Sequence, residues 1–180
     1  SFNGWTEDKK HMMYFSNVRD PRFFDMYKMN LETRESKMVY QNNEGLNINN
    51  VSHNEKIYSI SKSITTSENQ LFLMYPETGE KIELSKEPGS YSGSGFSKDD
   101  KYFFYTSDVG KEFSYLVKYE IASGATEGIY EENWDVMFSY LSEDDTYRVI
   151  GINEDGKTNL KIINNKTGEN VDFQLSCCAL

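Results

Sequence analysis

Short runs of apolar and aromatic residues, separated by polar turns, fill this chain from one end to the other. Between residues 88 and 132 they read Tyr91–Phe96, Tyr102–Thr106, Tyr115–Ile121 and Glu127–Tyr130. The breaks are Lys98-Asp99-Asp100, Ser107-Asp108-Val109-Gly110 and Ser123-Gly124. Between residues 133 and 175 they read Val136–Leu141, Tyr147–Ile152, Leu160–Asn164 and Val171–Leu175, with a hairpin turn at Asn153-Glu154-Asp155-Gly156. Tyr, Phe, Ile and Val dominate the runs, the composition of a pleated, half-buried surface. Pro21, Pro76 and Pro88 all fall in or beside connections, where a missing N–H breaks no ladder. No stretch keeps a helical period over a useful length, so the pattern predicts an all-β chain.

The pattern also repeats, with a period of about 45 residues. Each unit opens on an apolar anchor, a small hydroxyl, a polar turn and a strand-like run. The four openings are Trp5-Thr6-Glu7-Asp8-Lys9-Lys10, Val51-Ser52-His53-Asn54-Glu55-Lys56, Phe96-Ser97-Lys98-Asp99-Asp100-Lys101 and Leu141-Ser142-Glu143-Asp144-Asp145-Thr146. The hydroxyls at 6, 52, 97 and 142 are spaced by 46, 45 and 45 residues. A tight-turn signal keeps the same beat: Glu32-Thr33-Arg34-Glu35, Glu77-Thr78-Gly79-Glu80, Ala122-Ser123-Gly124-Ala125 and Lys166-Thr167-Gly168-Glu169. Two independent landmarks on one period, with four short strands per unit, predict a β-propeller. The expected blades are 1–42, 43–87, 88–132 and 133–175, with 176–180 as a C-terminal tail. The anchors Trp5, Val51, Phe96 and Leu141 are expected to be buried at equivalent places.

Composition narrows the chemistry. The net charge of −10, with the acids spread through the turns, offers no basic stripe for phosphates and argues against nucleic acid. No run of apolar residues is long enough to span a membrane. The start Ser1-Phe2-Asn3 lacks a signal-peptide pattern and reads as that of a processed or truncated product. A soluble protein is expected, cytoplasmic or periplasmic/secreted. Cys177 and Cys178 are adjacent, unsuited to pair with each other, and too few for a metal site.

The opening Phe96-Ser97-Lys98-Asp99-Asp100-Lys101, running into Tyr102-Phe103-Phe104-Tyr105-Thr106-Ser107-Asp108, resembles the repeat of TolB-like propellers. Two longer stretches, Thr106 to Tyr119 and Asn133-Trp134-Asp135-Val136 with Ile150 to Thr158, are similar to the N-terminal propeller of the prolyl oligopeptidase family of serine peptidases. The likeness covers residues 1 to 175. It implies a seven- or eight-bladed propeller that covers a separate α/β-hydrolase domain and restricts entry to short peptides. The implied partners are that hydrolase domain or further blades, and peptides. Two functions follow: a non-catalytic propeller segment of such a peptidase, or a stand-alone TolB-like scaffold for protein or ligand binding.

No catalytic, cofactor-binding or metal-ligating residue is predicted within the chain. No serine has glycine at both minus two and plus two, so the nucleophile elbow is absent. The run Gly89-Ser90-Tyr91-Ser92-Gly93-Ser94-Gly95 has the wrong spacing and falls where a first blade strand belongs. His11 and His53 lie at or near strand starts and read as surface turn residues, since neither position shows the nucleophile within reach and the orienting acid that a catalytic base needs. Asn153-Glu154-Asp155-Gly156 lacks the later carboxylate of a calcium loop, since Ile162 takes its place. The sequons Asn50-Val51-Ser52 and Asn165-Lys166-Thr167 are the number chance supplies in so Asn-rich a chain. Glu131-Glu132 looks like the amine-anchoring pair of dipeptidyl peptidases but lies in an inter-blade link. Four blades can close a small ring, but the resemblance is to propellers with more blades and implies an open arc of a larger ring. On that reading Met13, Phe15, Met26 and Met29 of the first unit, and Val149, Ile150, Ile162 and Ile163 of the fourth, are expected to be bare or covered by another chain or domain.

Overall fold

The computed structural model describes residues 1–173. Strands β1 (Phe2–Trp5), β2 (His11–Ser16), β3 (Asp25–Asn30) and β4 (Ser36–Tyr40) form a first antiparallel sheet in chain order. A second holds β5 (Asn47–Val51), β6 (Tyr58–Ser63), β7 (Asn69–Tyr75) and β8 (Glu80–Glu83). A third holds β9 (Tyr91–Phe96), β10 (Tyr102–Ser107), β11 (Tyr115–Glu120) and β12 (Thr126–Tyr130). The fourth has β13 (Asp135–Leu141), β14 (Tyr147–Glu154) and β15 (Lys157–Asn164). Its returning segment bridges Asn170 to Ile163, and the Val171 N–H donates to the Ile162 carbonyl at 2.8 Å. Of the strand expected over 171–175, residues 171–173 are irregular and the rest lies outside the described residues, as do Cys177 and Cys178. There is no helix among the described residues. This is an all-β chain of antiparallel propeller blades.

The repeated opening is a hairpin with its own polar lock. In the third sheet the Ser97 Oγ accepts the Tyr102 N–H at 3.0 Å and donates to Asp99 Oδ1 at 2.8 Å, which accepts the Lys101 N–H at 3.1 Å. The Asp100 N–H meets the Ser97 carbonyl at 2.9 Å, closing a tight turn. Thr6 with Asp8, Ser52 with Asn54 and Ser142 with Asp144 make the same bonds. The residue closing each turn has positive φ: Lys9 at 55°, Glu55 at 61°, Asp100 at 54° and Asp145 at 58°. The hydroxyl and the acid satisfy backbone N–H groups that the turn leaves out of the ladder. That is why the four hydroxyls hold their spacing.

The chain divides into two compact units, Ser1–Tyr91 with the first two sheets and Ser92 onward with the last two. In the first unit Met13 and Met26 of the first sheet pack with Tyr58, Ile60 and Met74 of the second and with Leu46 of the link, flanked by Phe15. In the second, Phe104 and Leu116 of the third sheet pack with Val136, Ile150 and Ile152 of the fourth, flanked by Ile163. These cores correct the expectation that Met13, Phe15, Met26, Ile150 and Ile163 are bare or covered by another chain. Cross-strand pairs share a face and neighbours along a strand do not. Ile150 therefore faces inward, whereas Val149, paired with Ile162, stands on the opposite face. A second correction concerns the anchors. Phe96 is 6% exposed and packs on Phe103 at 4.8 Å, but Trp5 is 61% exposed. Trp5 lies on the edge strand β1, where its ring meets Phe2 at 5.1 Å.

Candidate functional site

Two polar groupings stand apart from the turns. In the first unit Asp25, fully buried at the start of β3, is gripped by the Arg19 fork, Nε at 2.7 Å and Nη2 at 2.9 Å. Arg19 also donates to the Asn42 carbonyl at 2.8 Å, and the Asn42 N–H donates to Asp25 Oδ1 at 2.8 Å. The Asn42 carboxamide donates in turn to the Leu46 carbonyl at 2.7 Å. The Arg19 bonds hold the Asp25 carboxyl below its ordinary range against the opposing effect of burial. Every oxygen is answered, and the cluster ties the β2–β3 loop to the link after β4. It serves the fold. Ties of the same kind recur where Asn69 grips Tyr91 through both main-chain groups at 2.8 Å, and where Asp135 accepts the Ser114 N–H at 3.0 Å.

The second grouping is different in kind. Between the third and fourth sheets lies a cavity of about 440 Å³, bordered by Phe104, Leu141, Ile150 and Ile163 and by Arg148 and Asp145. Arg148 is only 6% exposed, yet its guanidinium makes one hydrogen bond, Nη1 to Ser139 Oγ at 3.1 Å. Its plane lies over the Phe104 ring, 4.0 Å from the centroid. Burial pushes its pKa down to about 10, and Asp145 opposes this through space. The Asp145 carboxylate itself accepts the Lys98 N–H at 2.7 Å. Lys118, also on the cavity wall, is paired with Glu127 at 2.6 Å. A fork of five donors in an apolar cleft, with so few answered, can hold an anion.

Sequence reasoning passed over Arg148, although a signal was there. Aligned on the hydroxyls, its place is taken by Phe103, Tyr58 and Met12 in the other units. Phe103 and Tyr58 are buried core residues. A guanidinium at a core position of the repeat is the departure that marks the site.

The residues weighed from sequence are scattered. His11 opens β2, with Nδ1 at 3.4 Å from Asp8 Oδ2 and Nε2 at 3.3 Å from the Asn30 amide. His53 is in the turn after β5. Glu131 pairs with Lys111, and Glu132 with Lys161 and the Tyr130 hydroxyl, so both carboxylates are committed. Tyr91–Phe96 of the Ser-Gly run is strand β9. Asn153-Glu154-Asp155-Gly156 is the β14–β15 hairpin, with Asp155 at φ 49° and Gly156 at φ 78° as a type I′ turn requires. The sequon residue Asn50 is bonded to the Ser59 hydroxyl, and Asn165 donates to the Asp145 carbonyl. Among the described residues no cluster of three or more His, Cys, Asp and Glu could hold a metal, and no helix is long and apolar enough to cross a membrane.

The sequence matches no family model and no curated protein. Solved structures do resemble it. TolB from Acinetobacter baumannii aligns over 93% of this chain at 20% identity with a TM-score of 0.72. A prolyl endopeptidase, one of two studied for inter-domain dynamics in catalysis and specificity, aligns over 98% at 16% identity with a TM-score of 0.69. Prolyl oligopeptidase B from Galerina marginata, bound to a 35mer hydrolysis and macrocyclization substrate, aligns over 96% at 15% identity with a TM-score of 0.65. The chain spans 41%, 28% and 26% of those chains. At such identities the likeness is one of fold: this chain has the blade architecture of TolB-like and prolyl oligopeptidase propellers.

Proposed function

We propose that this chain is a non-catalytic propeller segment of a prolyl-oligopeptidase-type serine peptidase, where it gates peptide access and docks an α/β-hydrolase domain or further blades. One observation carries the reading. The face of the fourth sheet that turns away from the core bears Phe138, Tyr140 and Tyr147 exposed, with Val149 and Ile162 beside them. Its inward face is buried, and propeller blades bury both faces against neighbours. The prolyl oligopeptidase likenesses and the fraction of those chains spanned support the same reading. The test is the longer reading frame. A downstream segment of about 250 residues with Gly-x-Ser-x-Gly, reactive to a fluorophosphonate probe in the full protein, is expected. The isolated chain is expected to stay unlabelled. A labelled serine in the isolated chain, or a stop soon after residue 180, overturns it. The TolB likeness supports a second reading, a stand-alone binding scaffold, which that stop would favour.

A further inference from the structure

We propose that the cavity between the third and fourth sheets binds a carboxylate joined to an apolar residue, in the first instance the C-terminal residue of a peptide, with Arg148 as the anion contact. This does not depend on the chain's being part of a peptidase.

The placement of Arg148 is the starting point. A core position of the repeat that carries Phe103 and Tyr58 elsewhere carries a guanidinium here. Packing alone would be met by an apolar side chain, without the desolvation of a charge. The guanidinium forms no salt bridge with Asp145, the acid that acts on it, and that carboxylate is engaged by the Lys98 N–H. Its one hydrogen bond, to Ser139, and the Phe104 ring beneath it fix its plane. The remaining edge of the fork is left for a ligand. A carboxylate matches two of its parallel N–H donors, which a single ring nitrogen or hydroxyl does not.

The rest of the wall sets the body of the ligand. Ile129, Leu141 and Ile163, each half-buried, present apolar surface, and the volume of about 440 Å³ suits one or two amino-acid residues. Lys118 is already neutralised by Glu127, so it does not draw the anion away. The overall charge of −10 disfavours anions at long range, so the site selects a single carboxylate that brings apolar surface with it.

The test is calorimetry and the Arg148 Nε–H signal in NMR on the whole chain, with three probes: acetyl-Gly-Gly-Leu free acid, its C-terminal amide, and acetyl-Gly-Asp-Gly amide. The free acid is expected to shift the Arg148 signal and to bind at least tenfold more tightly than its amide. Arg148→Met is expected to unfold at an equal or higher temperature and to lose that binding. If Arg148→Met does not fold, Ile163→Trp, which fills the cavity and leaves the guanidinium, is expected to lose it instead. Binding of the Asp peptide in place of the free acid, with no apolar residue beside its carboxylate, overturns the proposal. No binding of either acid, equal binding of acid and amide, or undiminished binding by Arg148→Met overturns the proposal.

Discussion

A left-handed backbone costs little at glycine and about 1–2 kcal/mol at other residues. The outer turns between third and fourth strands use Gly79, Gly124 and Gly168, at φ 73° to 75°, where an N–H closes onto a carbonyl four residues back. The first unit places Arg34 there, at φ 61°, with its N–H 2.9 Å from the Asn30 carbonyl. Arg34→Gly keeps that bond and removes the strain, offset partly by a freer unfolded chain. It is expected to stabilise by about 0.5–1 kcal/mol, a rise in Tm of about 1–3 °C, and an unchanged or lower Tm rejects this. Asp25 gives a prediction of opposite sign. Arg19 lowers its folded pKa below the unfolded value, so its stabilisation is complete above about pH 5 and is lost as pH falls toward the folded value. Asp25→Asn lacks that term at every pH. It is expected to melt below the wild type at pH 7, with the gap closing between about pH 4 and pH 2. Asp8 and Asp99, each held down to about 2 by groups away from Asp25, titrate in both proteins and cancel. A gap that stays constant in acid removes Asp25 from this role.

At the scale of the element, the hairpin lock explains why strand boundaries were legible. The third-unit runs expected from sequence match β9 to β12 to within a residue, because the Ser97–Asp99 lock ends the first and the glycine turns at Gly110 and Gly124 separate the rest. What pattern could not give was the facing of each side chain. Register shifts between Phe2 and Gly4, between Ile48 and Asn50 and between Val136 and Phe138, and where β4 and β12 meet their neighbours, change alternation locally, and an apolar run shows no preferred side. That is how Ile150 and Val149 were grouped together and how Arg148 went unseen. Nor does sequence announce the ties of Asp25 to Asn42 or Asn69 to Tyr91, since polar pairs 17 and 22 residues apart follow no period. The lock makes its own prediction. Ser97→Ala orphans the Tyr102 N–H near a buried hydroxyl site and is expected to cost about 1–3 kcal/mol. Ser142→Ala, at a more exposed turn whose N–H can reach water, is expected to cost less. Urea unfolding of the two variants gives the order, and a larger loss for Ser142→Ala contradicts it.

At the scale of the molecule, the question is what the fourth sheet's far face does in the isolated chain. Phe138 and Tyr140 stack at 6.2 Å with their planes 10° apart, and Tyr140 and Tyr147 are 53% and 43% exposed. The Phe138 ring lies directly over Gly151, where no side chain competes for its place. Val149 and Ile162 complete an apolar surface on regular strands. Water-exposed aromatic surface of this kind favours a second copy whenever a natural neighbour is missing, opposed by the mutual repulsion of chains carrying −10 each. Salt screens that repulsion and leaves the apolar attraction in place. The chain is therefore expected to self-associate at about 100 µM when salt is raised to about 0.5 M, and to be monomeric in dilute buffer. Tyr140→Lys puts a charge at the middle of the patch, on a side chain that carries no buried contact, and is expected to stay monomeric in both. Sedimentation velocity separates the outcomes. A wild type that remains monomeric at high salt, or a Tyr140→Lys variant that associates equally, would show that this face is not an association surface.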